Sequence, residues 1–97
     1  MKYEILQLKR EHIREYGFDS HDWAVKHGLS IDHYDKVYEG EIQDGFSDMA
    51  VCEMLFEKFN IDRPEDFRGH SLSVSDIVVL DGRKYYTDMI GFKRMDK

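Results

Sequence analysis

A chain of 97 residues with 41% hydrophobic and 13% aromatic content is long enough for one packed domain, 1–97, without staples, and no run approaches the roughly 18 apolar residues of a membrane span. The single cysteine, Cys52, excludes an internal disulfide, and Glu4 and Gln7 interrupt the first apolar run, so no secretory leader is read and the expected location is the cytoplasm. Net charge is −6, and residues 32–66 hold eleven acidic groups against three basic ones, which makes free nucleic acid a poor partner and a basic protein surface a better one, because phosphate affinity rests on Lys and Arg.

Tyr3, Ile5, Leu6 and Leu8 predict an N-terminal strand, with Gln7 and Lys9 at its polar exit. Residues 11–16 predict a short helix stopped by Gly17. Asp19-Ser20 supplies N-cap chemistry for a helix over residues 20–27, and Gly28 supplies a left-handed C-cap. Residues 34–42 predict a half-buried strand with Tyr34, Tyr38 and Ile42 in one period-2 register. Asp44-Gly45 breaks it. Ser47 or Asp48 then caps the clearest helix, over residues 47–59, with Val51, Met54, Leu55, Lys58 and Phe59 as a stripe widened by Cys52 and Phe56. Asn60 is expected to close that helix in a left-handed cap.

Pro64 predicts a further short helix through Phe67, and Gly69 a chain reversal. Asp81-Gly82, between residues 77–80 and 83–87, is a hairpin signal of the type I′ turn. Ile90 and Phe92, with Met95 beyond them, predict a last strand. The fold class is α+β: four or five mainly antiparallel strands, one main helix packed on a face, and one or two short helices.

Constellations with catalytic chemistry are sparse. Histidines 12, 21, 27, 33 and 70, with Asp22, Asp32 and Asp35, lack metal-site spacing, and surface or capping roles are expected instead. His70 stands beside Ser71 and near Ser73, but no Gly-x-Ser-x-Gly elbow is present. That segment reads as a turn in which Ser71, Ser73, Ser75 and Asp76 accept local backbone N–H groups while Leu72 and Val74 anchor it. Cys52 lies on an apolar helix face with no cationic neighbour, so a buried structural thiol is expected. Trp23, Tyr34 and Tyr38 are flanked by acid rather than the basic groove of single-strand binders. No catalytic residue, cofactor or metal ligand is assigned. The acidic run supplies the partner-binding residues: Asp35, Glu39, Glu41, Asp44, Asp48, Glu53 and Glu57.

The segment Phe67-Arg68-Gly69-His70-Ser71-Leu72-Ser73-Val74-Ser75-Asp76, with Tyr3-Glu4-Ile5-Leu6-Gln7-Leu8 and Tyr85-Tyr86-Thr87-Asp88-Met89-Ile90-Gly91-Phe92, resembles the YodL-like domain family found on mobile elements of Firmicutes. The resemblance implies context rather than chemistry. A small acidic member resembles the non-enzymatic inhibitors that such elements carry against host defence nucleases, as anti-CRISPR or antirestriction proteins, and the acid would then block a nucleic-acid groove. An accessory module binding a cytoskeletal or conjugation protein is the alternative, and a small metal-dependent nuclease a third.

Overall fold

In the computed structural model, which describes residues 1–17 and 19–95, the alternation of Tyr3 and Ile5 against Leu6 and Leu8 is used on both sides of a strand. That strand, β1 (Lys2–Leu8), is followed by α1 (Arg10–Tyr16), α2 (His21–Lys26), a 3-10 turn (Ile31–His33) and β2 (Tyr34–Glu41). The main helix α3 (Asp48–Ile61) precedes β3 (Ile77–Leu80), β4 (Arg83–Thr87) and β5 (Phe92–Met95). The strands make one antiparallel sheet in the order β2-β1-β3-β4-β5. The expected α+β class and main helix are therefore observed, with five strands.

One face of the sheet presents Tyr3, Ile5, Val78, Leu80 and Tyr85 to Val51, Cys52, Leu55 and Phe59 of α3 and to Phe67 and Leu72. The opposite face presents Leu6, Leu8, Tyr34, Ile77, Val79 and Tyr86 to Tyr16 of α1 and Ala24 of α2. Because β1, β3 and β4 bury side chains on both faces, IVVL in β3 is apolar at every position, as in a strand covered twice. Phe59 joins three rings: it meets Phe67 at 4.8 Å, Tyr38 at 5.3 Å and Tyr3 at 6.2 Å, all edge-on. Each edge-on aromatic pair contributes about 0.5–1.5 kcal/mol beyond area burial.

Local signals place several boundaries as the sequence predicts. Ser20 accepts from the Trp23 amide and Ser47 from the Ala50 amide. Gly28 is left-handed at φ +91, and Asp81 and Gly82, at φ 47 and 88, make the primed hairpin turn. Asp81 also accepts from the Lys2 amide, tying the hairpin tip to β1.

Five expectations are corrected. Tyr34 and Tyr38 do not share a face, because the register slips between Ile5 and Leu6, with Val37 as the extra residue. Tyr34 packs with Leu8, whereas Tyr38 packs with Phe59. The helix passes through Asn60, whose amide donates to the Phe56 carbonyl, and closes at Asp62. Met54 and Lys58 face solvent, so the buried stripe is Val51, Cys52, Leu55 and Phe59 with Phe56 half-buried. The segment after Pro64 is a single turn closed by the Phe67 amide on the Pro64 carbonyl, not a helix. Ile90 lies outside β5 in the β4–β5 turn, almost fully exposed.

Gln7 sits in the apolar face of β1 yet is buried. Its amide donates to the His70 carbonyl at 2.8 Å and to Asp76 Oδ2 at 3.1 Å, and its carbonyl accepts from the His70 amide at 3.2 Å. Asp76 Oδ2 also accepts from the Ser73 amide. These bonds hold residues 69–76 against the sheet. Gly69 is required because a Cβ there would overlap Gln7 Oε1 and lie 2.9 Å from the Phe67 ring. Gly69→Ala is expected to lower the urea midpoint at unchanged slope, a loss of about 1–3 kcal/mol; wild-type stability would overturn the assignment.

Candidate functional site

The acidic residues that the sequence puts in one run are dispersed by the fold into three settings. Asp48 opens α3, and its carboxylate accepts from Arg83 Nε at 2.6 Å, from Arg83 Nη2 at 3.0 Å and from the Tyr85 hydroxyl. Arg83 and Tyr85 together hold the Asp48 carboxyl down to about 2. This is a paired, bidentate contact at a helix N-terminus, where negative charge is favourable, and its work is to fix α3 to β4.

On the edge strand β2, Glu39 and Glu41 pair in register with Glu4 and Lys2. They therefore sit on the face of Leu6, opposite the one that α3 covers. Lys36 binds Glu39 and lies 3.9 Å from Glu4, which neutralises part of that charge and lowers the Glu39 carboxyl. Asp35 precedes the Val37 bulge and is exposed, as is Asp44 in the bend before α3. Gly40 is placed by Tyr3, whose hydroxyl would lie 2.7 Å from any Cβ at that position.

Glu53 and Glu57 lie one turn apart on the exposed side of α3 and line a groove of about 390 Å³ between that helix and the β4–β5 turn. Neither has an ion-pair partner among the described residues. The groove wall is apolar: Phe56 and Phe92 meet edge-on at 6.1 Å, with Val74 and Met89 alongside. Asp88 adds a third carboxylate, and its Oδ1 accepts from the His21 and Met89 amides, which sets its position. The floor carries Thr87, buried, with a hydroxyl that has no hydrogen-bond partner among the described residues. Of the seven expected partner-binding acids, the structure thus brings together Glu53 and Glu57 and leaves Asp35, Glu39, Glu41, Asp44 and Asp48 elsewhere. Thr87, Asp88, Phe56 and Phe92 were not assigned to a binding site from sequence, since a groove between a helix and a turn about thirty residues later leaves no local pattern.

Most of the remaining candidate groups have structural roles, although the buried His21 Nδ1 has no hydrogen-bond partner among the described residues. His70 Nδ1 lies 2.8 Å from the Ser71 carbonyl and 3.3 Å from the Gln7 amide rather than against a serine hydroxyl. Of the four residues expected to accept local amides, Asp76 does so through its side chain, while Ser73 and Ser75 engage through main-chain carbonyls, the latter receiving the Tyr34 hydroxyl at 2.6 Å. Leu72 anchors the turn as expected, whereas Val74 turns toward the groove. Cys52 is buried, which pushes its thiol up to about 12. Trp23 stacks on His27 at 3.9 Å, His33 completes a capping box with Ser30, and among the described residues no three His, Cys, Asp or Glu side chains converge as a metal site would. No helix among the described residues is long and apolar enough to cross a membrane.

Comparison with known proteins gives a family match over residues 2–97 to the YodL-like domain. The chain is also similar to a protein of Acanthamoeba polyphaga mimivirus described as uncharacterized, 36% identical over 77 residues, covering 65% of this chain and 69% of the viral one. No solved structure matches.

Two outcomes separate the charges that hold the fold from those free to bind. Asp48→Ala is expected to cost about 1–3 kcal/mol, whereas Glu53→Gln and Glu57→Gln stay within about 0.5 kcal/mol of the parent in chemical denaturation. Burial pushes the Asp76 carboxyl up to about 7, against the Ser73 amide, His70 and Gln7. The fold therefore favours its protonated form, so the penalty is absent below about pH 4, grows through pH 4–7 and is complete above. Relative to Asp76→Asn, wild-type stability should fall with rising pH across that window by up to about 1.4 kcal/mol per unit; parallel profiles would refute the shift.

Proposed function

The chain belongs to the YodL-like domain family, and from that premise we propose that it is a non-enzymatic, acidic protein-binding domain of a mobile genetic element, acting in the cytoplasm as the inhibitor of a host defence nuclease. The observation that carries the binding role is the groove beside α3, where Glu53, Glu57 and Asp88 surround an apolar wall. Glu53 and Glu57 are not consumed by ion pairs among the described residues. A nucleic-acid groove of a nuclease is lined by Lys and Arg and offers the complementary charge. Steering between such surfaces raises association rates by roughly 10 to 10³ at low salt, which suits an inhibitor that must compete with guide or target loading. The defence setting itself comes from the family context.

Met89 and Ile90, 65% and 96% exposed at the tip of the β4–β5 turn, support the second reading, an accessory module that docks a cytoskeletal or conjugation protein mainly through apolar contact. The two readings differ in their response to salt, because screening weakens exposed charge pairs and leaves apolar burial intact. Tagged protein is incubated with host lysate, with and without a CRISPR nuclease and a restriction complex expressed, and washed at low and then high ionic strength. The inhibitor reading predicts capture of a basic nuclease, loss of its nucleic-acid cleavage, and release at high salt. The Glu53→Lys/Glu57→Lys protein should lose at least about tenfold in affinity while keeping its thermal midpoint. Salt-resistant capture of a filament or conjugation subunit would replace it with the second reading, and capture of no nuclease would overturn it.

A further inference from the structure

The groove beside α3 has a chemistry narrower than general acidity. Thr87 is 3% exposed, and strand alternation directs its side chain to the same face as Tyr85, toward α3 and the groove floor. Its backbone is fully engaged: the amide donates to the Asp76 carbonyl at 2.8 Å, and the carbonyl accepts from the Ser75 amide at 2.9 Å. Its Oγ1 has no partner among the described residues. Leaving a buried hydroxyl unpaired is unfavourable, so the position is one where an incoming donor gains more than on open surface.

Around that oxygen the groove is layered. Phe56 and Phe92 form the wall, Val74 and Met89 extend it, and Glu53, Glu57 and Asp88 stand at the rim. Among the described residues no Lys, Arg or His lines it. A volume of about 390 Å³ lies at the small end of ligand pockets, the size of one long side chain with its flanking backbone rather than a helix. An occupant must therefore be apolar along its stem, cationic at its head and rich in N–H donors.

We propose that this groove is an anchor pocket for an arginine side chain of a protein partner, its stem and guanidinium plane lying on Phe56 and Phe92, its N–H groups shared between the Glu53 and Glu57 carboxylates and Thr87 Oγ1. Arginine fits better than lysine because its planar fork reaches several acceptors at once and stacks on aromatic faces. Arginine is also among the residues that dominate interface energetics when seated in a desolvated pocket. The pocket rests on the protein-binding reading only for the partner's identity.

The probe is N-acetyl-arginine methylamide, titrated into isotope-labelled protein and followed by amide chemical shifts, with the lysine and norleucine analogues as controls. Saturable shifts are expected at residues 53–57, 87–89 and 92, with arginine tighter than lysine and the norleucine analogue without effect. Thr87→Val keeps the shape and removes the unpaired hydroxyl, so it should fold with equal or higher thermal midpoint yet bind the arginine probe about threefold to tenfold more weakly. Glu53→Gln/Glu57→Gln should weaken it further. Shifts scattered over all exposed acids, equal affinity in these variants, or equal response to norleucine would overturn the pocket. If the arginine probe binds as expected but no nuclease is captured, the inhibitor reading fails and the pocket stands. If a nuclease is captured and released by salt as expected but the arginine probe gives no saturable shifts at these residues, the pocket fails and the inhibitor reading stands.

Discussion

The buried amide of Gln7 is the constraint on which the rest of the molecule depends. A primary amide inside an apolar sheet face is costly unless its donors and acceptor are all used. Here residues 69–76 supply the partners, through the His70 main chain and the Asp76 carboxylate. The exchange is mutual, because those residues form no helix or strand of their own and would otherwise leave main-chain groups unpaired in the interior. Asp76 then passes the constraint on: its carbonyl receives the Thr87 amide, and its carboxylate receives the Ser73 amide. The position of the groove floor therefore follows from a residue on the far side of the chain.

A second constraint sets the rim. The Asp48 carboxylate, clamped by Arg83 and Tyr85, fixes where α3 begins over the sheet. Phe59, among Tyr3, Tyr38 and Phe67, fixes where it ends. With both ends held, rotation about the helix axis is settled, and the row containing Glu53, Phe56 and Glu57 is left above β5. Acids of the same sequence run thus serve two opposite purposes: Asp48 is paired with Arg83 to build the surface on which Glu53 and Glu57 have no ion-pair partner among the described residues.

What was legible in the sequence was local. Asp81-Gly82 announces its turn because the required dihedrals belong to those two residues, and Ser47 and Ser20 announce helix starts because the cap closes within three positions. The extent of the acidic face was not legible, since the side on which Glu39 and Glu41 emerge depends on the register against β1 and on a bulge at Val37 that no property of Val37 specifies. Asn60 looked like a cap because Asn tolerates the left-handed region, but its amide found the Phe56 carbonyl and the helix continued. Pro64 sets only its own φ, and one turn satisfied it. Thr87 has the sequence of any strand residue; its unpaired hydroxyl follows from what α3 does not bring near it.

The strand order carries a kinetic consequence. β1 is made first and lies between β2 and β3, so Tyr3 faces Gly40 on one side and Leu80 on the other. Its second edge cannot be closed until almost all of the described chain exists. Pairings between such distant residues require the loop entropy to be spent before any contact repays it, which slows folding relative to a sheet of consecutive hairpins. During synthesis, β1 and β2 have a neighbouring vacancy lined by Ile5 and Leu6 until the Asp81-Gly82 hairpin arrives to fill it. That hairpin is local, its turn encoded by two adjacent residues, and closing such a hairpin takes on the order of 1–10 μs, so the slow part of the topology is the pairing of β3 with β1.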